Sequence, residues 1–155
     1  MVEINSFPVF EGTSLSGRNV KFPDELKDRI TLVGIAFVRD AQEMLDSWIN
    51  PFEEEFAEIS DYAIYEIPMI NNKFWKLFSS FIDAGMRSGI PEKKHENVIT
   101  YYEDNSEIRK DLQIKDKSKG YVFLLDKENN IKWRGKGFST EKEVKKMINT
   151  ASTIK

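Results

Sequence analysis

The feature that most constrains the fold is an apolar run at residues 30–38, which reads ITLVGIAFV. The run is nearly continuous in apolar and β-branched residues, which is the pattern of a strand covered on both faces. We therefore expect it to lie in the middle of a β-sheet. It is far shorter than the roughly 20 residues needed to cross a bilayer, so no spanning segment is predicted.

A helical pattern follows the apolar run at once. Its apolar residues recur at three- and four-residue steps and form a stripe that should face the sheet. The stripe consists of Met44, Leu45, Trp48, Ile49, Phe52, Phe56 and Ile59. Pro51 lies inside this stretch, lacks a backbone donor and crowds the carbonyl group of Ser47, so we expect the helix to kink or divide near Asn50.

The flanking segments predict further strands and helices. Two short strands at 7–10 and 19–22, a turn at Ser16-Gly17 and a helical segment at 24–28 precede the run. A second parallel strand is predicted at 62–68, a third strand at 98–102, and a short helix at 105–114 with Ser106 as a candidate cap. A helix that ends near Gly85 or Gly89 is predicted from the stripe Phe74, Leu77, Phe78, Phe81 and Ile82.

The C-terminal third predicts a hairpin and a helix. The sequence YVFLLD-KENN-IKWRG indicates a hairpin whose turn uses the tolerance of Asn129 and Asn130 for positive φ. Residues 140–143 form a capping-box pattern for the last helix. Its predicted buried face consists of Val144, Met147, Ile148 and Ala151.

This order of elements predicts an α/β, thioredoxin-like fold in one domain over residues 1–155. A βαβ unit followed by a ββα unit forms a central mixed β-sheet flanked by helices, with an N-terminal strand extension. Two stretches carry a matching resemblance: residues 7–38 and KGYVFLLDKENNIKWRGKG resemble the entry and the closing hairpin of the peroxiredoxin-type superfamily.

A closer resemblance lies within that superfamily. FVRDAQEMLDSWINPFEEEF, GMRSGIPEKKHENVITYY and GYVFLLDKENNIKWRGKG are similar to the assembly factors that act on the membrane sector of the mitochondrial ATP synthase. The resemblance implies an assembly factor or chaperone with a membrane-embedded protein partner. It also implies no cofactor, and a location in the cytoplasm or, in a eukaryote, on the matrix side of the mitochondrial inner membrane.

The redox members of the superfamily depend on cysteine, and this chain has none. Their reactive thiols are replaced by the sequence RDAQ at residues 39–42, which offers no plausible nucleophile. Their cis-proline is replaced by Gly120 or Tyr121, where we expect an ordinary trans peptide. These departures predict a redox-inactive protein without catalytic residues.

The predicted binding site is the corner where the central strand meets its helix. Arg39, Asp40 and Gln42 form one part, and the loop at residues 119–121 (Lys119, Gly120 and Tyr121) forms the other, because ligands bind such folds at the strand ends. Arg39 can clamp a carboxylate. The simpler alternative is that Asp40 only caps the helix and Arg39 pairs with a neighbouring acid.

The tryptophans and lysines suggest further contacts. Trp48 lies on the apolar stripe and is expected in the core, whereas Trp75 lies beside its stripe. Trp133 lies on the hairpin between two cations, which suits a partner helix or a membrane interface, with partial burial as the alternative. The hairpin cations and Lys115, Lys117 and Lys119 form a basic side that could meet anionic lipid or an acidic partner.

Other function classes receive no support from the sequence. The net charge of -3 gives no global argument for nucleic acid. His95 and Glu53, Glu54 and Glu55 fit a solvated surface better than a metal site, and no metal is expected. Two alternatives to the assembly factor stay open: an oxidoreductase that works without cysteine, and a sensor of small anions at the Arg39 corner.

Overall fold

The structure is a computed structural model that describes residues 6–26, 28–70 and 79–154, without the side chains of 79–83. Its strands are β1 (Phe10–Ser14), β2 (Asn19–Phe22), β3 (Ile30–Ala36), β4 (Tyr62–Pro68), β5 (Ile99–Thr100), β6 (Tyr121–Leu125) and β7 (Ile131–Lys136). Its α-helices are α1 (Gln42–Phe56), α2 (Ser79–Gly89), α3 (Ser106–Asp111) and α4 (Glu141–Thr153). Short 3-10 turns cover Asp24–Leu26, Arg39–Ala41 and Glu92–Asn97. Of the helices in these ranges, none is long and apolar enough to cross a membrane.

Strand β3 lies inside a four-stranded sheet of order β4-β3-β6-β7, as its apolar run predicts. It runs parallel to β4, with Ile30 opposite Tyr62, and antiparallel to β6, with Ile35 opposite Tyr121. Alternate side chains of β3 enter two separate core clusters. Leu32 packs with residues of α1 and α4, whereas Val33 packs with residues of β1 and β2.

The N-terminal extension forms a second, three-stranded sheet of order β2-β1-β5. Its aromatic rings build the core on that side: Phe7 makes edge contacts with Phe22 and Phe123, with ring centroids 5.5 and 5.8 Å apart. The strand predicted at 7–10 starts only at Phe10, and the helical segment predicted at 24–28 is the 3-10 turn Asp24–Leu26. The strand predicted at 98–102 is reduced to Ile99–Thr100, which pairs with β1, while its neighbours Val98 and Tyr101 form isolated parallel bridges to Glu66 and Met69 at the edge of the central sheet.

Helix α1 does not divide at Pro51, which was one of the two predicted outcomes. It continues from Gln42 to Phe56, and the Ser47 carbonyl that Pro51 leaves without its helical donor accepts a hydrogen bond from Ser139 Oγ at 2.8 Å. A contact outside the helix therefore satisfies the freed group. Ile59, predicted on the buried stripe, lies beyond the end of the helix and is 45% exposed.

The C-terminal predictions are largely confirmed. Asn129 has a φ of 67° in the β6–β7 turn, whereas Asn130 does not have a positive φ. Thr140 and Glu143 form the capping box, and Met147 and Ala151 are fully buried on α4, with Val144 and Ile148 half-buried.

Two predictions for the earlier helices have different outcomes: α2 ends at Gly89 as expected, but Ser106 is the first residue of α3 and not its cap. Phe74, Trp75, Leu77 and Phe78 lie outside the described residues, as do the side chains of Phe81 and Ile82.

Candidate functional site

A cleft of about 810 Å³ opens between the start of α1, the end of β4 and helix α2. We call it the α1–α2 cleft. Most of its walls are apolar, and the polar groups gather where α1 begins. Its apolar wall includes Phe37, Val38, Pro68, Met69, Met86 and Ile90, and its polar residues include Arg39, Asp40, Gln42, Glu43 and Glu66.

Three of the predicted site residues lie together on this cleft. The 3-10 turn Arg39–Ala41 carries Arg39 and Asp40 into solvent at the point where β3 has ended. Asp40 does not cap the helix, because neither the turn nor α1 has a side-chain cap hydrogen bond. Across the described ranges, Arg39 has no acidic group within the 4.0 Å of an ion pair. The capping role of Asp40 is therefore wrong, and no acidic partner of Arg39 is found among the described side chains.

Gln42 joins two carboxylates at the mouth of the cleft. Its Nε2 atom donates to Oε1 of Glu66 at 2.7 Å and to Oδ1 of Asp46 at 3.0 Å. Burial raises the pKa of the Glu66 carboxyl, the hydrogen bond from Gln42 opposes part of that rise, and the Asp46 charge adds to it. Glu66 is thus a half-buried acid whose charged form is stabilised by the amide of Gln42 and, over a longer distance, by the charge of Lys94.

Sequence reasoning missed Glu66, although a signal for it exists. The strand YAIYEIP alternates, so Glu66 lies on the same face as Tyr62 and Ile64. Those two residues pack against the core beneath α1. A carboxylate on a strand face that a helix covers is unusual, because desolvation disfavours its charge.

The loop at residues 119–121 does not line the cleft. Gly120 is buried, its N–H donates to Met44 Sδ at 3.4 Å and its carbonyl accepts from Gly137 N at 2.9 Å. A Cβ atom at Gly120 would lie 3.1 Å from the carbonyl oxygen of Ala41, so the loop is packed against the first turn of α1. The bond between Gly120 and Tyr121 is trans, as predicted, because the cis bond found in the described residues is Phe22-Pro23.

The aromatic and basic members of the predicted site, Lys119, Tyr121 and Trp133, also lie outside the cleft. Tyr121 is buried in the core beneath the N-terminal extension and donates its hydroxyl hydrogen to the Asp116 carbonyl at 2.7 Å. Lys119 is half-buried beside this loop. Trp133 lies in the middle of β7 opposite Leu124 and packs partly buried against the core beneath α1 and α4. A partner role for these residues stays a prediction.

Trp48 is in the core, as predicted, and also fixes the end of β7. Its indole Nε1 donates to the Gly137 carbonyl at 2.8 Å. The ring lies so close to Gly135 that a Cβ atom there would be 2.5 Å away. In the same loop Phe138 is 58% exposed between two anchored neighbours.

The chain has no thiol, and among the residues that the structure describes no group of three or more His, Cys, Asp or Glu side chains could hold a metal ion. A family model described as ATP10 protein matches residues 5–154. The chain belongs to the ATP10 protein family. No curated protein sequence matches this family member.

Solved structures show that this ATP10 family member has a thioredoxin-like fold, as predicted. It is similar to the thioredoxin domain of a thiol-disulfide oxidoreductase from Bacteroides vulgatus, with 14% identity, 97% of this chain and 99% of that chain covered, and a TM-score of 0.64. A thiol-disulfide oxidoreductase from Bacteroides fragilis has 16% identity, coverage of 93% and 98%, and a TM-score of 0.62. BsSco, of the Sco family of cytochrome c oxidase assembly proteins, has 13% identity, coverage of 98% and 98%, and a TM-score of 0.62.

Proposed function

We propose that this protein is a redox-inactive binding module that acts as an assembly factor for the membrane sector of an ATP synthase-type complex. The observation that carries the proposal is the ATP10 family match across residues 5–154. The absence of cysteine supports the redox-inactive part, because thiol–disulfide exchange and peroxide reduction in this fold depend on a thiolate.

The client protein binds at the α1–α2 cleft. This surface combines apolar walls with the exposed guanidinium group of Arg39 and is open to solvent. The other half of the predicted corner is a poorer surface, because both backbone groups of Gly120 are used within the protein. A client strand would find no backbone group of Gly120 free to pair with.

The proposed client is a membrane-embedded subunit of the complex, and the proposed location is the matrix side of the mitochondrial inner membrane. An assembly factor of this kind holds an apolar segment that is exposed before its partner subunits arrive. A cleft with apolar walls suits such a segment, because the segment is shielded from water while it is bound.

Capture of a client from solubilised membranes tests the proposal. The wild-type protein should retain one defined membrane-sector subunit, and Arg39→Glu should reduce that retention about tenfold, since a reversed charge at the mouth repels what Arg39 attracts. Lys142→Glu, an exposed charge reversal on α4, is the matched control and should retain the client. Recovery of no specific membrane protein would contradict the proposal, and so would turnover of hydrogen peroxide with a dithiol above background.

A further inference from the structure

We infer that the α1–α2 cleft accepts an apolar segment of a partner protein that carries a lysine or arginine, and that this cation pairs with the Glu66 carboxylate. The inference rests on the proposed function and specifies the chemistry of the client at the same site. Four observations carry it: the position of Glu66, the lack of an ion pair to it among the described side chains, the acidic groups around it and the apolar walls.

Glu66 lies where a partner can reach it from the cleft. It is on the α1 face of strand β4, half-buried, and lines the cleft together with Gln42. Among the described residues, its one side-chain hydrogen bond comes from the neutral amide of Gln42. A carboxylate can accept several hydrogen bonds, so Glu66 retains the capacity to accept from a charged donor.

Glu66 has no direct ion pair among the described residues. Within those ranges no basic side chain lies within 4.0 Å of its carboxylate. The charge of Lys94 lowers the pKa of Glu66 over a longer distance, but Lys94 itself pairs with Glu53 at 3.2 Å. A half-buried carboxylate that lacks a direct ion pair is costly for the free protein, and a charged partner that removes this cost gains affinity from it.

The groups around Glu66 add to the negative potential. Asp46 shares the amide of Gln42 with Glu66, and Asp40 and Glu43 also line or border the mouth of the cleft. Arg39 is the opposing charge on the lining, and because it is exposed at the rim it can pair with an acidic group of the client that lies outside the cleft, next to the segment whose cation reaches Glu66. The interior of the cleft therefore favours a cation over an anion.

The apolar walls of the cleft favour a cation that is carried by an apolar segment. Met86, Ile90 and Val38 provide apolar surface around the approach to Glu66, and the methionine side chain can adapt its shape to different partners. Lysine and arginine fit such a cleft well, because their aliphatic stems pack on apolar walls while their charged ends reach the carboxylate.

The first test uses pairs of synthetic peptides. The set consists of overlapping 15-residue peptides that cover the membrane-sector subunits of the ATP synthase, each with a counterpart in which methionine replaces lysine and arginine. Wild-type protein should bind its best peptides about tenfold more tightly than their methionine counterparts. Glu66→Gln keeps the shape and the acceptor for Gln42 and should abolish this preference, whereas the exposed Glu54→Gln should keep it.

The second test needs neither a client nor a variant. n-Hexylammonium combines an apolar chain with a cation, and n-hexanol has the same chain without the charge. Hexylammonium should shift the carboxyl carbon resonance of Glu66 and lower its apparent pKa, and hexanol should do neither. The resonance of Glu54 is the internal control.

The outcomes separate the inference from the proposed function. Peptides that bind equally with and without basic residues overturn the inference and leave the proposed function standing. If no membrane-sector peptide binds but hexylammonium titrates Glu66, the cleft chemistry stands and the proposed client is wrong. Concentration-dependent dimers that disappear in Glu66→Gln would assign the cleft to a second copy of this chain and overturn the inference.

Discussion

The hydroxyl group of Ser139 donates to the carbonyl oxygen of Ser47 at 2.8 Å. Ser47 lies four residues before Pro51, so its carbonyl is the one that lacks a helical N–H partner. The return contact runs from the backbone N–H of Ser139 to Ser47 Oγ at 2.9 Å. The proline therefore does not break helix α1; it supplies a free acceptor that fastens the loop between β7 and α4.

The first prediction concerns this pair. Ser139→Ala should lower the free energy of unfolding by about 1–2 kcal/mol, because it leaves the Ser47 carbonyl without a partner. In a Pro51→Ala background the same change should cost markedly less, since residue 51 then offers an N–H to that carbonyl. Chemical denaturation of the double-mutant cycle measures the difference.

The control for this cycle is Ser152→Ala. Ser152 Oγ donates to the Ile148 carbonyl within α4, which also has its ordinary helical donor, so its loss should change stability by less than about 0.5 kcal/mol. An equal cost of Ser139→Ala with and without Pro51 would contradict the proposed role of the proline.

The second prediction concerns the contact between Trp48 and Gly135. Gly135→Ala should destabilise the protein by about 1–3 kcal/mol, because the added methyl group would lie 2.5 Å from the buried indole. Gly85→Ala is the matched control: no atom lies within 4 Å of its added Cβ, and alanine favours the helix by roughly 0.5–1 kcal/mol. The temperature of thermal unfolding should therefore shift in opposite directions for the two variants. Equal shifts would show that the Trp48 indole can move away from the added methyl group with little loss of stability.

Local sequence patterns correctly predicted the elements whose structure depends on residues close together in the sequence. The run in β3 is apolar at every buried position except Thr31, and the Thr140–Glu143 capping box depends on atoms three residues apart. The apolar stripe of α1 likewise identified Trp48 as a core residue. For these elements, the spacing of the apolar residues and the capping pattern are sufficient to predict the structure.

The missed features depend on contacts between distant segments. At Pro51 the helix leaves the Ser47 carbonyl without a donor, and the donor that replaces it is Ser139, which follows Ser47 by 92 positions. The half-buried state of Glu66 depends on the packing of α1 across β4, and the burial of Tyr121 depends on the N-terminal extension that covers its face. The strand-end position of residues 39–42 was predictable, but the packed state of Gly120 was not, because it arises from Met44 and Gly137.

The third prediction follows from the pKa of Glu66. Burial raises this pKa in the folded protein, so the folded state binds the proton more tightly than the unfolded chain does. The stability that this difference provides is present below the unfolded pKa and is lost as the pH rises through the folded pKa. Glu66→Gln should therefore be more stable than wild type at pH 7.5, by about 1 kcal/mol, and about equally stable at pH 4.

The control for the pH dependence is Glu54→Gln, which alters an exposed carboxylate on the same helix as Gln42. Its stability should stay within about 0.5 kcal/mol of wild type at both pH values, as is usual for an exposed substitution. The charged groups that influence Glu66 are Asp46, Lys94 and Glu53, and all of them are retained in both variants. A Glu66→Gln protein that is less stable than wild type at pH 7.5 would contradict the prediction.

The fourth prediction separates the two halves of the corner where β3 meets α1. Arg39→Glu changes an exposed side chain, so its free energy of unfolding should stay within about 0.5 kcal/mol of wild type while client retention falls about tenfold.

Gly120→Ala should lower the free energy of unfolding by about 1–3 kcal/mol, because its added Cβ would lie 3.0 Å from Leu45 Cδ2 and 3.1 Å from the Ala41 carbonyl oxygen. Per mole of folded protein, this second variant should retain the client as wild type does. Denaturation curves and quantitative capture on the same samples measure both effects, and loss of the client from folded Gly120→Ala protein would place binding on the Lys119 side of the corner instead.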